Sequence, residues 1–65
     1  MKAIVKTKSN YKNCNGKTLE VAELLGNLIS LYVPSEGFDE NDNPKGKEYI
    51  IADFNVKSEL ISLSK

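Results

Sequence analysis

Nine lysines, nine carboxylates and a single cysteine, with no histidine, arginine or tryptophan, are the groups this 65-residue chain offers for chemistry or recognition. Cys14 is the strongest nucleophile among them, and Lys12 and Lys17, close in sequence, would acidify it mildly. Without histidine, however, neither Cys14 nor any serine has its ordinary general base. Carboxylate pairs such as Glu36 and Asp39 fall in a polar stretch, where burial cannot push two pKa values apart into an acid and a base. The expectation is a chain that is not an enzyme and has no catalytic residue.

Cofactor and metal sites meet similar obstacles. A chain without histidine and with one cysteine lacks the ligands for zinc or redox metals. Asp39, Asn41 and Asn43 match the first three ligand positions of an EF-hand loop, but Pro44 stands where the turn needs glycine and Ile50 where a bidentate glutamate closes the site. Gly16-Lys17-Thr18 matches the end of a nucleotide P-loop. Tyr11 occupies the place of that motif's first glycine, so the backbone cannot curl around a phosphate. No cofactor and no metal are expected.

Binding is what remains, and the charge layout frames it. Residues 1–17 carry +5, residues 18–42 carry −6 and the remainder +1, so the zero net charge is a balance of opposed regions. The plain reading is that the basic first strand lies beside an acidic neighbour and forms cross-strand pairs. Two binding readings stand beside it. Lys2, Lys6, Lys8, Lys12 and Lys17, with Tyr11 as a stacking ring, are the candidate nucleic-acid patch, nonspecific because arginine is absent. Glu36, Phe38, Asp39, Glu40 and Asp42, in an over-long polar loop, are the candidate protein-binding loop. A protein partner is the preferred reading, with nucleic acid the alternative and occlusion of a host enzyme a third.

The elements that must position these groups follow from periodicity. Residues 2–8 alternate as a strand, with Ala3, Val5 and Thr7 on one face and Lys2, Ile4, Lys6 and Lys8 on the other. Residues 9–16 read as a loop closed by the Asn15-Gly16 turn. Residues 18–33 admit two readings. Glu20, Glu23, Asn27 and Ser30 step by three, four and three, as on one side of a helix, yet Gly26-Asn27 splits the segment into strands 18–25 and 28–33. Residues 35–47 form a long polar connection, 49–54 a strand, 55–59 a helical turn and 60–63 a last strand. No repeat, low-complexity tract or second domain interrupts residues 1–65. The lone cysteine rules out an intramolecular disulfide, and Ala3-Ile4-Val5 is too short for a signal peptide or a membrane span, so a soluble, cytoplasmic protein is expected. Lysine without arginine, with seven asparagines, points to an AT-rich coding sequence of the kind found in phages and mobile elements.

Asn15-Gly16-Lys17-Thr18-Leu19-Glu20-Val21, opening the second strand, and Ala52-Asp53-Phe54-Asn55-Val56-Lys57-Ser58-Glu59-Leu60, closing the fourth, carry a resemblance to the small SH3-like β-barrel proteins of bacteria and phages. The resemblance implies an all-β, five-stranded small barrel with a 3₁₀ turn before the last strand. The alternative is an α+β fold with residues 18–33 a helix on a three-stranded sheet. The barrel draws its core from Val5, Leu19, Val21, Ile29, Leu31, Ile51, Phe54, Leu60 and Leu63. This chain lacks the tryptophan and the aromatic pattern of the SH3 proline-peptide groove, which argues against that ligand.

Overall fold

Alternation builds the first strand, which ends at Lys6 rather than at the expected residue 8. In a computed structural model, which describes residues 1–64, β1 (Lys2–Lys6) buries Ala3 and Val5 while Lys2, Ile4 and Lys6 face out. Four further strands follow: β2 (Thr18–Leu25), β3 (Leu28–Pro34), β4 (Tyr49–Asn55) and β5 (Leu60–Ser64). All pair antiparallel in the order β4-β3-β2-β1-β5, giving an all-β, five-stranded sheet. The helical alternative for residues 18–33 is therefore set aside. None of the described helices is long and apolar enough to cross a membrane.

A bulge explains why residues 18–33 looked helical. Register runs from Val21↔Leu31 to Glu23↔Ser30, so Ala22 is an extra residue in β2. One inserted residue turns the strand period of two into a step of three and bends the strand. Glu20 and Glu23 thus keep to the outer side at a spacing that mimics a helix. The bend also divides the work of β2, whose first residues pair with β1 and whose last pair with β3. At the hairpin tip Gly26 adopts φ 57°, the left-handed value that two-residue hairpins take at their first central position.

The observed core is Ala3, Val5, Cys14, Leu19, Ile29, Leu31, Val33 and Phe54, with Val21, Phe38, Ala52, Val56 and Ile61 packed against it. Three expected members are exposed instead: Ile51, Leu60 and Leu63. Ile51 pairs with Tyr32 and Phe54 with Ile29, so the two lie on opposite faces of β4 and only Phe54 points inward. Leu60 sits opposite the outward Lys6, while Ile61 opposite Val5 takes the inner position. Leu63, beside Ala3, lies at the sheet's end with little above it.

The turn before β5 is present, with the Ser58 and Glu59 amides both donating to the Asn55 carbonyl at 3.1 Å. The segment that forms a 3₁₀ helix lies elsewhere, at Tyr11–Asn13, with Asn10, Lys12 and Asn13 in left-handed conformations. Asparagine tolerates that region and lysine does not favour it, so Lys12 is held there by contacts. Asn15 supplies part of the frame. Its side-chain amide accepts from the Thr7 backbone N–H (2.7 Å) and donates to the Thr7 carbonyl (2.9 Å), closing the loop as an extra strand residue would.

Candidate functional site

The long β3–β4 connection is a folded flap. The Ser35 amide donates to the Glu48 carbonyl, Glu36 to Lys45 and Lys45 to Gly37, and Phe38 and Pro44 form an antiparallel bridge. Its tip is set by Asp39, whose Oδ1 accepts from the backbone N–H of both Asn41 and Asn43 at 2.9 Å. The three residues that imitate calcium ligands thus form a hydrogen-bonded turn. Among the described residues, no three His, Cys, Asp or Glu side chains gather closely enough to hold a metal ion.

The flap docks on the first loop. The Phe38 amide donates to the Lys12 carbonyl (3.1 Å), Lys12 Nζ to the Ser35 carbonyl (2.9 Å) and Asn13 Nδ2 to the Phe38 carbonyl (3.1 Å). Lys17 pairs with Asp42 and places its ammonium 5.5 Å from the centre of the Phe38 ring. Phe38 was expected in an over-long polar loop, available to a protein partner. It lies half-buried against the core instead, because these bonds fold the flap back. Of the acidic loop residues, Asp39 and Asp42 are engaged, while Glu36 and Glu40 face solvent.

Docking the flap creates an open groove of about 480 Å³. Leu19 and Glu20 of β2, Tyr32 of β3 and Tyr49 of β4 form one side; Phe38 and Pro44 of the flap form the other. Phe38 was among the residues expected to bind a partner; Tyr32, Tyr49 and Pro44 were not. The signal for the tyrosines was present in the alternation of β3 and β4, since Tyr32 is one residue from buried Val33 and Tyr49 is an odd number of residues from buried Phe54, which turns both tyrosines to the outer face.

The lysine-rich patch is partly spent on internal contacts. Lys2 pairs with Glu20 across β1 and β2 (3.8 Å), Lys12 and Lys17 tie down the flap, and Lys12 Nζ lies 5.5 Å from the Tyr11 ring centre. Lys6 and Lys8 are exposed and form no ion pair among the described residues. Tyr11 stands edge-on to Phe54, with ring centres 6.1 Å apart. It lines a second groove with Asp53 and Glu59, whose carboxylates oppose a phosphate rather than attract one.

Cys14 is buried, and its thiol pKa is raised, not lowered as its lysine neighbours suggested. Desolvation is the largest influence and outweighs the attraction of Lys12 and Lys17. A thiol whose folded pKa lies above its unfolded value lends stability that is complete below the unfolded pKa and is lost as pH rises past it. Native protein at pH about 8 is therefore expected to resist iodoacetamide until unfolded, and stability is expected to fall above pH about 8.5. Denaturant titrations of wild type and Cys14→Ala across this range check it; an equal alkaline loss in both would remove Cys14 as the cause.

Comparison with protein-family models, with curated proteins and with solved structures finds no match.

Proposed function

We propose that this chain is a non-catalytic binding module on the SH3-like small-barrel plan, taking a segment of a partner protein into the groove between Tyr32, Tyr49, Phe38 and Pro44. The strand order β4-β3-β2-β1-β5, with a bent β2 shared between two strand pairs, supports the plan. The observation that carries the function is the groove itself. Three aromatic rings and a proline line a concave surface whose walls are already fixed by hydrogen bonds, so a ligand need not pay to order them. Aromatic side chains in such pockets are where binding energy concentrates. With no tryptophan, the fitting occupant is an apolar or aromatic anchor side chain rather than a polyproline helix. Occlusion of a host enzyme would use the same groove.

A photo-cross-linking residue at Tyr49 tests this reading, with the same residue at Lys8 as control. Specific protein adducts from position 49 and none from position 8 are expected; equal capture at both would refute it. Nucleic acid is the alternative ligand, and salt dependence separates it from the groove. Of the five patch lysines, only Lys6 and Lys8 make no side-chain contact among the described residues, so binding of duplex DNA through this patch should show log affinity falling with log salt at a slope no steeper than about −2. A slope near −4, the value for the whole lysine patch, would restore that alternative.

A further inference from the structure

Asn15-Gly16 is the chain's one Asn-Gly pair, and that pairing has a chemistry of its own. The backbone nitrogen of the residue after an asparagine can attack the side-chain Cγ, and a glycine there presents no Cβ to hinder the approach. Tyr11, Cys14, Leu28, Asp42, Pro44 and Val56 follow the other six asparagines and crowd the same attack. The new N–C bond forms as the bond from Cγ to Nδ2 breaks, and ammonia leaves a five-membered imide behind. Water then opens the imide on either side of its nitrogen, giving aspartate or isoaspartate. The sum is one water taken up and one ammonia released, with no oxidant or reductant. In the native structure both reacting groups are held. Oδ1 of Asn15 accepts from the Thr7 backbone N–H (2.7 Å) and hydroxyl (3.2 Å), and Nδ2 donates to the Thr7 carbonyl (2.9 Å). The attacking nitrogen is engaged too, since the Gly16 N–H donates to the Val5 carbonyl at 2.8 Å. Val5 and Thr7 are both buried. For the Gly16 nitrogen to reach Cγ, the first loop must open away from the end of β1.

We propose that Asn15 is a deamidation site which the docked first loop keeps closed, and that the reaction, once it has occurred, prevents the loop from docking again. Aspartate at position 15 keeps the two bonds that Oδ1 accepts. Its second oxygen, however, takes the place of Nδ2 and faces the Thr7 carbonyl, acceptor against acceptor, with a negative charge at the contact. Isoaspartate adds a methylene to the main chain and moves the Gly16 N–H off the Val5 carbonyl. The Thr7 hydroxyl also accepts from the Tyr11 N–H (3.0 Å), so loss of this strut reaches the 3₁₀ turn on which the flap rests. A transient opening is thereby made permanent. Deamidation at Asn15 does not depend on what the groove binds.

The test is incubation of the full chain at mildly alkaline pH, native and in guanidinium chloride, followed by peptide mapping for the mass gain of about 1 Da. In denaturant Asn15 is expected to react before the other six asparagines. In native protein its rate is expected to be lower by at least about tenfold, because only the open fraction reacts. Equal rates in the two states, or another asparagine reacting first in denaturant, would overturn the proposal. Thr7→Val keeps the shape of the side chain but removes the hydroxyl, and should raise the native rate about fivefold with the denatured rate unchanged. Ile29→Val, a mild core change in β3, is the control for a general loss of stability. No rise in Thr7→Val, or an equal rise in Ile29→Val, would overturn the gating by the loop. Asn15→Asp, the product made directly, should melt roughly 4–12 °C below wild type, and equal melting would overturn the claim that the reaction keeps the loop open. The wild-type rates decide the site even if Asn15→Asp does not fold.

Discussion

Gly37→Ala is expected to destabilise the protein by about 3 kcal/mol. Gly37 has φ 77°, a region that costs a residue with a side chain about 1–2 kcal/mol. The added Cβ would also lie 2.4 Å from the Lys12 carbonyl oxygen, which is backbone and already bonded to the Phe38 amide. That oxygen cannot move without pulling the 3₁₀ turn off the flap. For a domain of this size the loss corresponds to a melting temperature lower by roughly 12–24 °C. Gly26→Ala is the internal comparison. It has a similar positive φ of 57° but no atom within 4 Å of the new Cβ, so its cost should stay near 1–2 kcal/mol. Thermal melts of both variants decide the matter: equal losses would mean that the flap does not rest on Lys12.

Leu31→Ala is expected to cost about 2–5 kcal/mol, and Ile51→Ala less than about 0.5 kcal/mol. Both positions are aliphatic residues within strands. Leu31 is fully buried and stands between Val21 and Ala52 on the inner face. Ile51 is 60% exposed on the outer face. A domain this small has only a few kcal/mol of stability to lose, so Leu31→Ala should be largely unfolded near body temperature. Ile51→Ala should melt like wild type. A large loss at Ile51 would place it in the core and reverse the facing assigned to β4.

The placement of Ile51 shows what could be read from the residues and what was overlooked. Ile51 and Phe54 are three apart, and a strand with a period of two cannot turn both inward. The same parity, applied to Tyr32 against Val33, would have marked the tyrosines of the groove as outward. Phe38 was harder to judge. Nothing in the polar stretch 35–47 indicates that Phe38 lies against the core, because its position depends on Lys12 and Asn13, some twenty-five residues away in the chain.

Cys14 and the lysines make the same point through electrostatics. Sequence proximity to Lys12 and Lys17 suggested a lowered thiol pKa; burial, which is a tertiary property, reversed the sign. Lysines counted as a patch along the chain became ties to Glu20, Ser35 and Asp42 once the loops closed. Residue types alone established which groups were at hand, and short-range alternation established where strands and turns lay. Those are local properties, written in spacings of two and in the conformational tolerance of glycine and asparagine. The bulge at Ala22, the flap over the first loop, the groove it encloses and the open edge of β4 depend on which distant segments meet. Only the tertiary structure decides that, because contact free energy is set by what a side chain faces after the chain has closed on itself.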